Sequence, residues 1–326
     1  MKQWFWIMSV TILLLLTIVL SATTGTLAVT PISFIQGLWS GHDPQVEIVK
    51  DLRLPRIVIA IFAGAALAVS GVLLQAVMRN PLAEPGIIGV SAGASFTAVA
   101  AITLWPTLFF YMPFFAMLGG AFAFYLVYRL SWSSGLDPLR MILIGVAINA
   151  VFTSLGQVLH FSGGISLNAT SDVATSQLAM RQWSDVRIIT IYVTFGLIAA
   201  FSLFRGCNHL SLSDATAHSL GVPVQRLRLV ISAIAVLLAS VATAVAGMFL
   251  FVGLLIPHIS RRIVGTNHRY LIPFSALLGA WLILLSDTLG RTLIAPQEIP
   301  ASVIVALIGG PFLIMLLRRE RHFARF

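Results

Sequence analysis

Long apolar runs recur along this chain and are separated by short charged segments. A helix of about 20 apolar residues crosses the hydrocarbon core of a bilayer. Only 10% of the residues are charged, against roughly 25% in soluble domains, so a water-facing surface cannot be built. We therefore predict an all-α polytopic membrane protein, one transmembrane domain over residues 1–326, with about ten transmembrane helices. The predicted spans are 4–28, 54–77, 86–104, 108–130, 138–160, 187–204, 226–247, 249–264, 271–289 and 300–318.

The stretch 226–264 is the hardest to divide, because it is apolar throughout and interrupted only by two glycines and a proline. Basic residues flank both of its ends. If both ends face the cytoplasm, the number of crossings between them is even. The stretch is predicted to be either one tilted helix plus a re-entrant piece or two passes joined by a tight turn, and two passes is the simplest solution. The flanking basic residues are Arg226, Arg228, Arg261 and Arg262.

The basic residues predict the orientation. With the N-terminus inside and ten spans, six of the 20 Lys and Arg residues fall outside and the other fourteen fall in the cytoplasm, as the positive-inside rule requires. Both termini are then cytoplasmic, and the first span is predicted to be uncleaved. The basic residues lie between apolar runs, not on one polar face, which argues against nucleic-acid binding. The six outer residues are Lys50, Arg53, Arg56, Arg181, Arg187 and Arg291.

The sequence contains no catalytic or metal-binding constellation. Its two lysines, Lys2 and Lys50, lack the glycine-rich context of a phosphate-binding loop, so we predict that the chain is not an enzyme and that any ATP is hydrolysed by a partner subunit. Cys207 is the one cysteine, and no intrinsic cofactor or metal is predicted. Asp287 and Arg291 are spaced as a helical ion pair, although charged residues within a membrane are also candidates for function.

Polar residues on the fifth span are candidates for a transport pathway. Asn149, Gln157 and His160 lie on a broadly shared helix face, where they would either line a pathway or form interhelical hydrogen bonds. Two outer segments, 30–53 and 161–186, are too long for turns. The second is predicted to be either a short helix at the mouth of a pathway or a disordered loop, and we include its Met180 among the pathway candidates.

Two connectors carry distinctive patterns. Segment 79–86 places two prolines between the second and third spans, which predicts a rigid turn, and the small residues after it either permit close helix packing or leave room for a substrate. Segment 210–222 predicts a short cytoplasmic helix, capped by Ser211 or Ser213 and ended by Gly221. Its amphipathic pattern suits lipid binding or docking into a partner.

These motifs together resemble the FecCD-type permeases of ABC importers, which take up ferric siderophores, haem and cobalamin. The resemblance covers nearly the whole chain from about residue 50. It implies the type II importer permease fold, a dimer of two permease copies (a heterodimer being the alternative), two cytoplasmic ABC ATPases and an extracellular binding lipoprotein at a bacterial cell membrane. The matching segments are 53–56, 71–75, 79–85, 145–147, 210–221, 253–258, 300 and 309–311.

The resemblance also implies residue roles. Arg53, Arg56 and Arg291 are similar to the outer arginines that form exposed ion pairs with the binding protein. Asn80 and Leu82 resemble part of the cytoplasmic gate. The 210–221 helix resembles the coupling helix that docks into the ATPase, with Ser213, Asp214, Ala217, Leu220 and Gly221 as its contact residues.

The stretch 175–186 departs from the common family pattern and looks more like the haem permeases of the iron-regulated surface determinant systems. We therefore expect haem as the transported substrate, with a ferric siderophore as the alternative and cobalamin third. A secondary carrier would transport without an ATPase and would be expected to hold more acidic groups at the membrane midplane. A membrane-embedded enzyme would need a His and carboxylate cluster that the sequence lacks.

Overall fold

The computed structural model describes residues 2–24, 44–131, 138–162, 178–179, 181–295 and 297–323. Within these ranges the chain is helical and has no strand, which confirms the predicted all-α class. The helices are α1 (Lys2–Thr23), α2 (Pro44–Met78), α3 (Val90–Leu104), α4 (Met112–Ser131), α5 (Pro138–Ser162), α6 (Trp183–Ser202), α7 (Phe204–Leu210), α8 (Asp214–Ser219), α9 (Val224–Ala246), α10 (Val252–Val264), α11 (His268–Thr292) and α12 (Ala301–Phe323).

Ten of these helices coincide one for one with the ten predicted spans, and α7 and α8 lie in the connector between the sixth and seventh. Seven helices in the described ranges are long and apolar enough to cross a membrane, and α3 and the 301–316 part of α12 are shorter apolar helices. Helix α10 has only 13 residues, about 20 Å of helix. The chain is therefore a multi-pass membrane protein, and some of its helices are shorter than a full crossing.

The beginning of α2 differs from the prediction. The predicted span begins at residue 54, after an outer segment over 30–53, yet the helix begins at Pro44, ten residues earlier. Proline suits the first position of a helix, and Glu47 in the first turn interacts favourably with the positive end of the helix dipole. The hydrophobicity pattern predicts only the apolar part of a helix, so it does not predict a charged extension at the beginning of that helix.

Helix α2 lies at the centre of the bundle. In its most apolar window 83% of the residues are buried, whereas the corresponding value for α5 is 11%. Close approach of neighbouring helices depends on glycine pairs. A Cβ added at Gly64 would lie 2.2 Å from the Gly279 carbonyl oxygen of α11, and one at Gly71 would lie 2.0 Å from the Gly253 carbonyl oxygen of α10. Only glycine fits at these two crossings.

Candidate functional site

One end of the bundle holds a buried network of charges. Asp287 of α11 is 1% exposed, and its Oδ1 accepts a 2.8 Å hydrogen bond from Nε of Arg56. Nη2 of Arg56 lies 2.8 Å from the same carboxylate, and Nε of Arg291 lies 3.3 Å from it. Nη1 of Arg56 also donates to Glu298, whose side chain is 44% exposed. The predicted pair of Asp287 and Arg291 is confirmed and belongs to a larger network.

Arg53 of α2 and Arg291 also hold the end of α1. Nη1 of Arg53 donates to the carbonyl of Ala22 at 3.0 Å. Nη2 of Arg291 donates to the carbonyl of Ser21 at 3.1 Å and to its Oγ at 2.6 Å. The last carbonyl groups of a helix have no partner within the helix, and here the two guanidinium groups donate hydrogen bonds to them. These bonds connect the C-terminus of α1 to α2 and α11.

The expectation that Arg53, Arg56 and Arg291 form exposed ion pairs is wrong in one respect. Their side chains are buried, with exposures of 9%, 8% and 7%. The three arginines can be buried because the carboxylate of Asp287 and the carbonyl groups at the end of α1 compensate the desolvation of their guanidinium groups. Any partner that binds here meets a preformed network and not three extended side chains.

The opposite end of the bundle contains a polar cleft. Arg56 and the end of α2 at Met78 are 22 residues apart on one helix, about 33 Å, which is the thickness of a bilayer core. The cleft has a volume of about 670 Å³. Its walls come from the ends of α2, α7 and α10 and from the beginning of α11. The lining residues are Gln75, Ala76, Arg79, Asn80, Pro81, Asn208, Ser211, Arg261, Thr266, Asn267 and His268.

Hydrogen bonds fix the polar groups around the cleft. Oε1 of Gln75 accepts from Nη1 of Arg261 at 2.5 Å, and Nε of Arg79 donates to the carbonyl of Leu210 at 2.7 Å. Arg79 itself has φ 48°, a left-handed conformation that is uncommon outside glycine. This backbone ends α2 and directs the chain into the connector that follows.

The connector between α2 and α3 is built around two buried polar side chains. Oδ1 of Asn80 accepts from the N–H of Leu82 at 2.9 Å, which forms a local turn. Oε1 of Glu84, 1% exposed, accepts from the N–H of Phe251 at 3.0 Å. Burial raises the pKa of the Glu84 carboxyl to about 7, and the backbone N–H groups of Phe251 and Leu254 offset this only in part.

Glu84 therefore stabilises the break between α9 and α10. Helix α9 ends at Gly247 with φ 86°, and Phe251 precedes α10 with φ 70°. The carboxylate lies at the N-terminus of α10, where unpaired N–H groups and the helix dipole favour negative charge. The stretch 226–264 is thus divided into two helical segments, α9 and the 13-residue α10; that each of them crosses the membrane stays a prediction.

Helix α8 has the predicted start and stop. Oγ of Ser213 accepts from the N–H of Thr216 at 3.1 Å, so Ser213 rather than Ser211 is the cap. Gly221 has φ 72°, and the N–H of Val222 donates to the carbonyl of Ala217 at 3.1 Å, which closes the helix with a glycine-dependent C-terminal motif.

The side chains of α8 point in different directions. Ala217 is fully buried, whereas Leu220 is 62% exposed. As placed here, Ala217 contributes to internal packing and not to a surface, which corrects its prediction as a contact residue. Leu220 presents an apolar side chain on an exposed connector.

The pathway candidates lie on a sparsely packed helix. Within α5, Gln157 is exposed and Asn149 is partly buried, and Oδ1 of Asn149 accepts from Oγ1 of Thr153 at 3.3 Å. The backbone of His160 also belongs to α5. Met180, most of segment 161–186, and the side chains of His160 and Asp214 lie outside the described residues.

Sequence reasoning missed Glu84, Gln75 and Glu298. The sequence could have indicated Glu84, because it is an acidic residue between two prolines in an otherwise apolar segment. Burying such a residue costs free energy unless a partner compensates it. The sequence could not have indicated Glu298, because its partner Arg56 is 242 positions away in sequence.

Comparison with known proteins agrees with this architecture. The model of the FecCD transport family matches residues 13–319. The probable heme-iron transport system permease protein IsdF of Staphylococcus aureus strain MSSA476 is 40% identical over 311 residues, covering 95% of this chain and 94% of the relative.

Two solved structures share the fold. An inward-facing ABC transporter chain assigned to the metal-chelate type has a TM-score of 0.80 and 31% identity, covering 97% of this chain and 99% of that chain. PsaBC from Streptococcus pneumoniae, in complex with Fab, has a TM-score of 0.63 at 16% identity, covering 88% of this chain and 95% of that chain, and so supports the fold alone. The chain belongs to the FecCD transport family of ABC importer permeases.

Proposed function

We propose that this chain is the membrane-spanning permease subunit of an ABC importer that carries haem into the cytoplasm. The observation that carries the proposal is the 40% identity to a probable heme-iron permease across 95% of the chain. A ferric chelate other than haem is the second candidate, because the 31% identical structure is a transporter assigned to the metal-chelate type. Haem or the chelate is cargo here, and ATP binds to a partner subunit.

The proposed orientation places the charged network outside the cell and the polar cleft in the cytoplasm. The positive-inside distribution supports it, since the cleft end carries Arg79, Arg261 and Arg262. Both termini are then cytoplasmic, in the cell membrane of a bacterium. The connector that contains α8 lies at the cleft end, because α7 and α2 meet there through Arg79 and Leu210.

A cytoplasmic ATPase subunit is proposed to receive α8. The exposed residues at the two ends of α8 include Ser213 and Leu220, and Gly221 turns the chain back towards α9. A short capped helix with one protruding apolar side chain suits a groove in a partner. Asp214 is kept as a contact candidate from its position in the first turn of α8.

The extracellular binding protein is proposed to dock on the charged network. Arg56 and Arg291 pair with two carboxylates, and Arg53 lies close enough to act electrostatically on Arg291, so the three arginines outnumber the two carboxylates and the cluster attracts acidic side chains. Glu298 is the exposed carboxylate of the network. We infer that a carboxylate of the binding protein replaces Glu298 on Arg56.

The pathway is proposed to run between two copies of this chain, along the exposed face of α5 that includes Gln157 and Asn149, with His160 and Met180 as further candidates. The burial of only 11% for the α5 window supports a surface that a second copy covers. Asn80 and Leu82 are proposed to move with the cytoplasmic gate, since they form the turn that ends α2.

Reconstitution in proteoliposomes tests the function. The full chain, its ATPase and its binding protein are assembled together, and uptake of haem and of a ferric siderophore is measured with and without ATP. We expect ATP-dependent haem uptake that needs all three components. Uptake by this chain alone would identify a secondary carrier, and ATP-dependent uptake of the siderophore but not haem would identify the second candidate.

A further inference from the structure

The polar cleft has the chemistry of an anion-binding site. Among the described residues, its lining includes Arg79 and Arg261 and no acidic residue. Its volume of about 670 Å³ lies in the range of small-molecule sites, roughly 300 to 1,000 Å³. The side-chain amides and hydroxyl groups around the arginines add further hydrogen-bond donors.

Asn80 supplies a buried donor with no partner among the described residues. The side chain is 3% exposed, and its Oδ1 is occupied by the N–H of Leu82. Its Nδ2 has no hydrogen-bond partner. A buried amide nitrogen without a partner is costly, and a ligand oxygen in the cleft would satisfy it.

His268 supplies a buried acceptor. Its Nδ1 lies 2.8 Å from Oδ1 of Asn208, which also accepts from the N–H of His268 at 3.0 Å, while Nδ2 of Asn208 donates to Asn267. The Asn208 amide is thereby oriented, so Nδ1 of His268 carries the hydrogen. Nε2 of the neutral ring is then an acceptor, and it has no partner within the described part of the chain, although the residue is only 4% exposed. A ligand that complements this cleft carries both an anion and a hydroxyl group.

The two guanidinium groups are positioned in advance. Gln75 holds Arg261, and the carbonyl of Leu210 holds Arg79, so little side-chain entropy remains to be lost on binding. Thr266, Asn267 and His268 place the beginning of the 25-residue helix α11 at the cleft. The positive end of this helix dipole adds to the attraction for an anion.

We propose that the polar cleft binds a phosphate-bearing ligand that also carries a hydroxyl group. Two sources offer this chemistry, namely the headgroup of phosphatidylglycerol and a soluble phosphate monoester such as glycerol 3-phosphate. The binding site does not depend on which chelate is transported, and it differs from the surface of α8 that is proposed to meet the ATPase.

Binding to the full chain tests the proposal. The protein is placed in phosphatidylcholine nanodiscs, and phosphatidylglycerol or glycerol 3-phosphate is added while binding is followed by native mass spectrometry and thermal unfolding. We expect Arg261→Gln to weaken binding roughly tenfold or more, since one charge-assisted hydrogen bond is lost. Arg262→Gln is the matched control, because Arg262 is exposed and does not line the cleft, and it should weaken binding less than about twofold.

A second variant separates ligand binding from folding. Asn80→Asp keeps the oxygen that accepts from Leu82 but replaces the free donor with a negative oxygen, so it should abolish binding. Thermal unfolding without ligand is measured on the same variant and reports separately the stability that a buried carboxylate costs. Retention of only phosphatidylglycerol would assign a lipid site, and retention of only glycerol 3-phosphate would assign a soluble ligand. Binding of neither probe, or equal losses for Arg261→Gln and Arg262→Gln, would overturn the proposal.

Discussion

The contribution of a single charged residue to stability depends on whether its partner is left buried and unpaired when the residue is removed. Asp287 is buried between Arg56 and Arg291, whereas Glu298 reaches Arg56 from a half-exposed position. Truncating one member of a buried ion pair leaves an uncompensated charge, while an exposed pair contributes little. The two carboxylates therefore have different roles within one network.

We predict that Asp287→Asn lowers the free energy of unfolding by about 3 to 5 kcal/mol, because two buried guanidinium groups lose a counter-charge and only Arg56 keeps another carboxylate, that of Glu298. Glu298→Gln is the matched control and should cost less than about 1 kcal/mol. Thermal unfolding in detergent measures both. Equal losses for the two variants would contradict the distinction between them.

Glu84 makes a pH-dependent contribution to stability. Its folded pKa is raised from 4.5 to about 7, so between these values the folded state holds a proton that the unfolded state has released. The free energy of unfolding then falls as the pH rises from 4.5 to 7, by no more than about 3 kcal/mol. The comparison is thermal unfolding at pH 5 and pH 7.5. Glu84→Gln should lose this component, and an unchanged pH slope in the variant would contradict it.

At the scale of helices, the crossings of α2 determine how the bundle closes. The pairs Gly64 with Gly279 and Gly71 with Gly253 bring backbones together where a Cβ has no room. Packing in a membrane depends on such contacts, since lipid removes the hydrophobic drive between helices. The remaining helices, including α5, pack less completely and present wide outer faces.

Gly71→Ala should lower the free energy of unfolding by about 1 to 3 kcal/mol, because α2 and α10 must move apart. Gly156→Ala in α5 is the matched control, since a Cβ there meets nothing within 4 Å; it should be neutral or slightly stabilising. Size-exclusion profiles and thermal unfolding in detergent report the difference. A Gly71→Ala protein as stable as the control would show that the crossing tolerates a methyl group.

Helix α8 is expected to link ATP hydrolysis to transport. Replacing Asp214 and Leu220 together by Ala removes a first-turn carboxylate and the exposed apolar contact, so ATP hydrolysis should continue while transport falls. Leu229→Ala is a control of the same residue type, 74% exposed on α9. Uptake and ATPase rates are measured in proteoliposomes. Coupled transport that persists in the double variant would remove α8 from this role.

The whole molecule has two chemically different ends. A charged network closes one end, and a polar cleft lies about 33 Å away along α2. This separation matches the thickness of a bilayer core, so we expect the two ends on opposite sides of the membrane. The distribution of basic residues assigns the cleft to the cytoplasm under the proposed orientation.

Cysteine labelling tests that orientation. Leu52 and Leu220 are both 62% exposed, so Leu52→Cys and Leu220→Cys form a matched pair at opposite ends, in a Cys207→Ala background. A maleimide that cannot cross membranes should label position 52 in intact cells and position 220 only after permeabilisation. Labelling of position 220 from outside would invert the topology and exclude an ATPase at α8.

The sequence alone predicted the helices and their approximate ends, because apolar length and helix stop signals are local properties. It also predicted the pair of Asp287 and Arg291, the cap of α8 and the break within 226–264. Helix α2 was placed too late, since its charged first turns do not show in a hydrophobicity pattern.

Only the tertiary structure revealed the partners that lie far apart in sequence. It placed Glu298 and Asp287 on Arg56, Glu84 at the start of α10, and Arg261 beside Gln75. The same packing buried three arginines that the sequence predicted to be exposed. Local pattern determines which segments become helices, but the free energy of a buried charge depends on groups that only folding brings within hydrogen-bond distance.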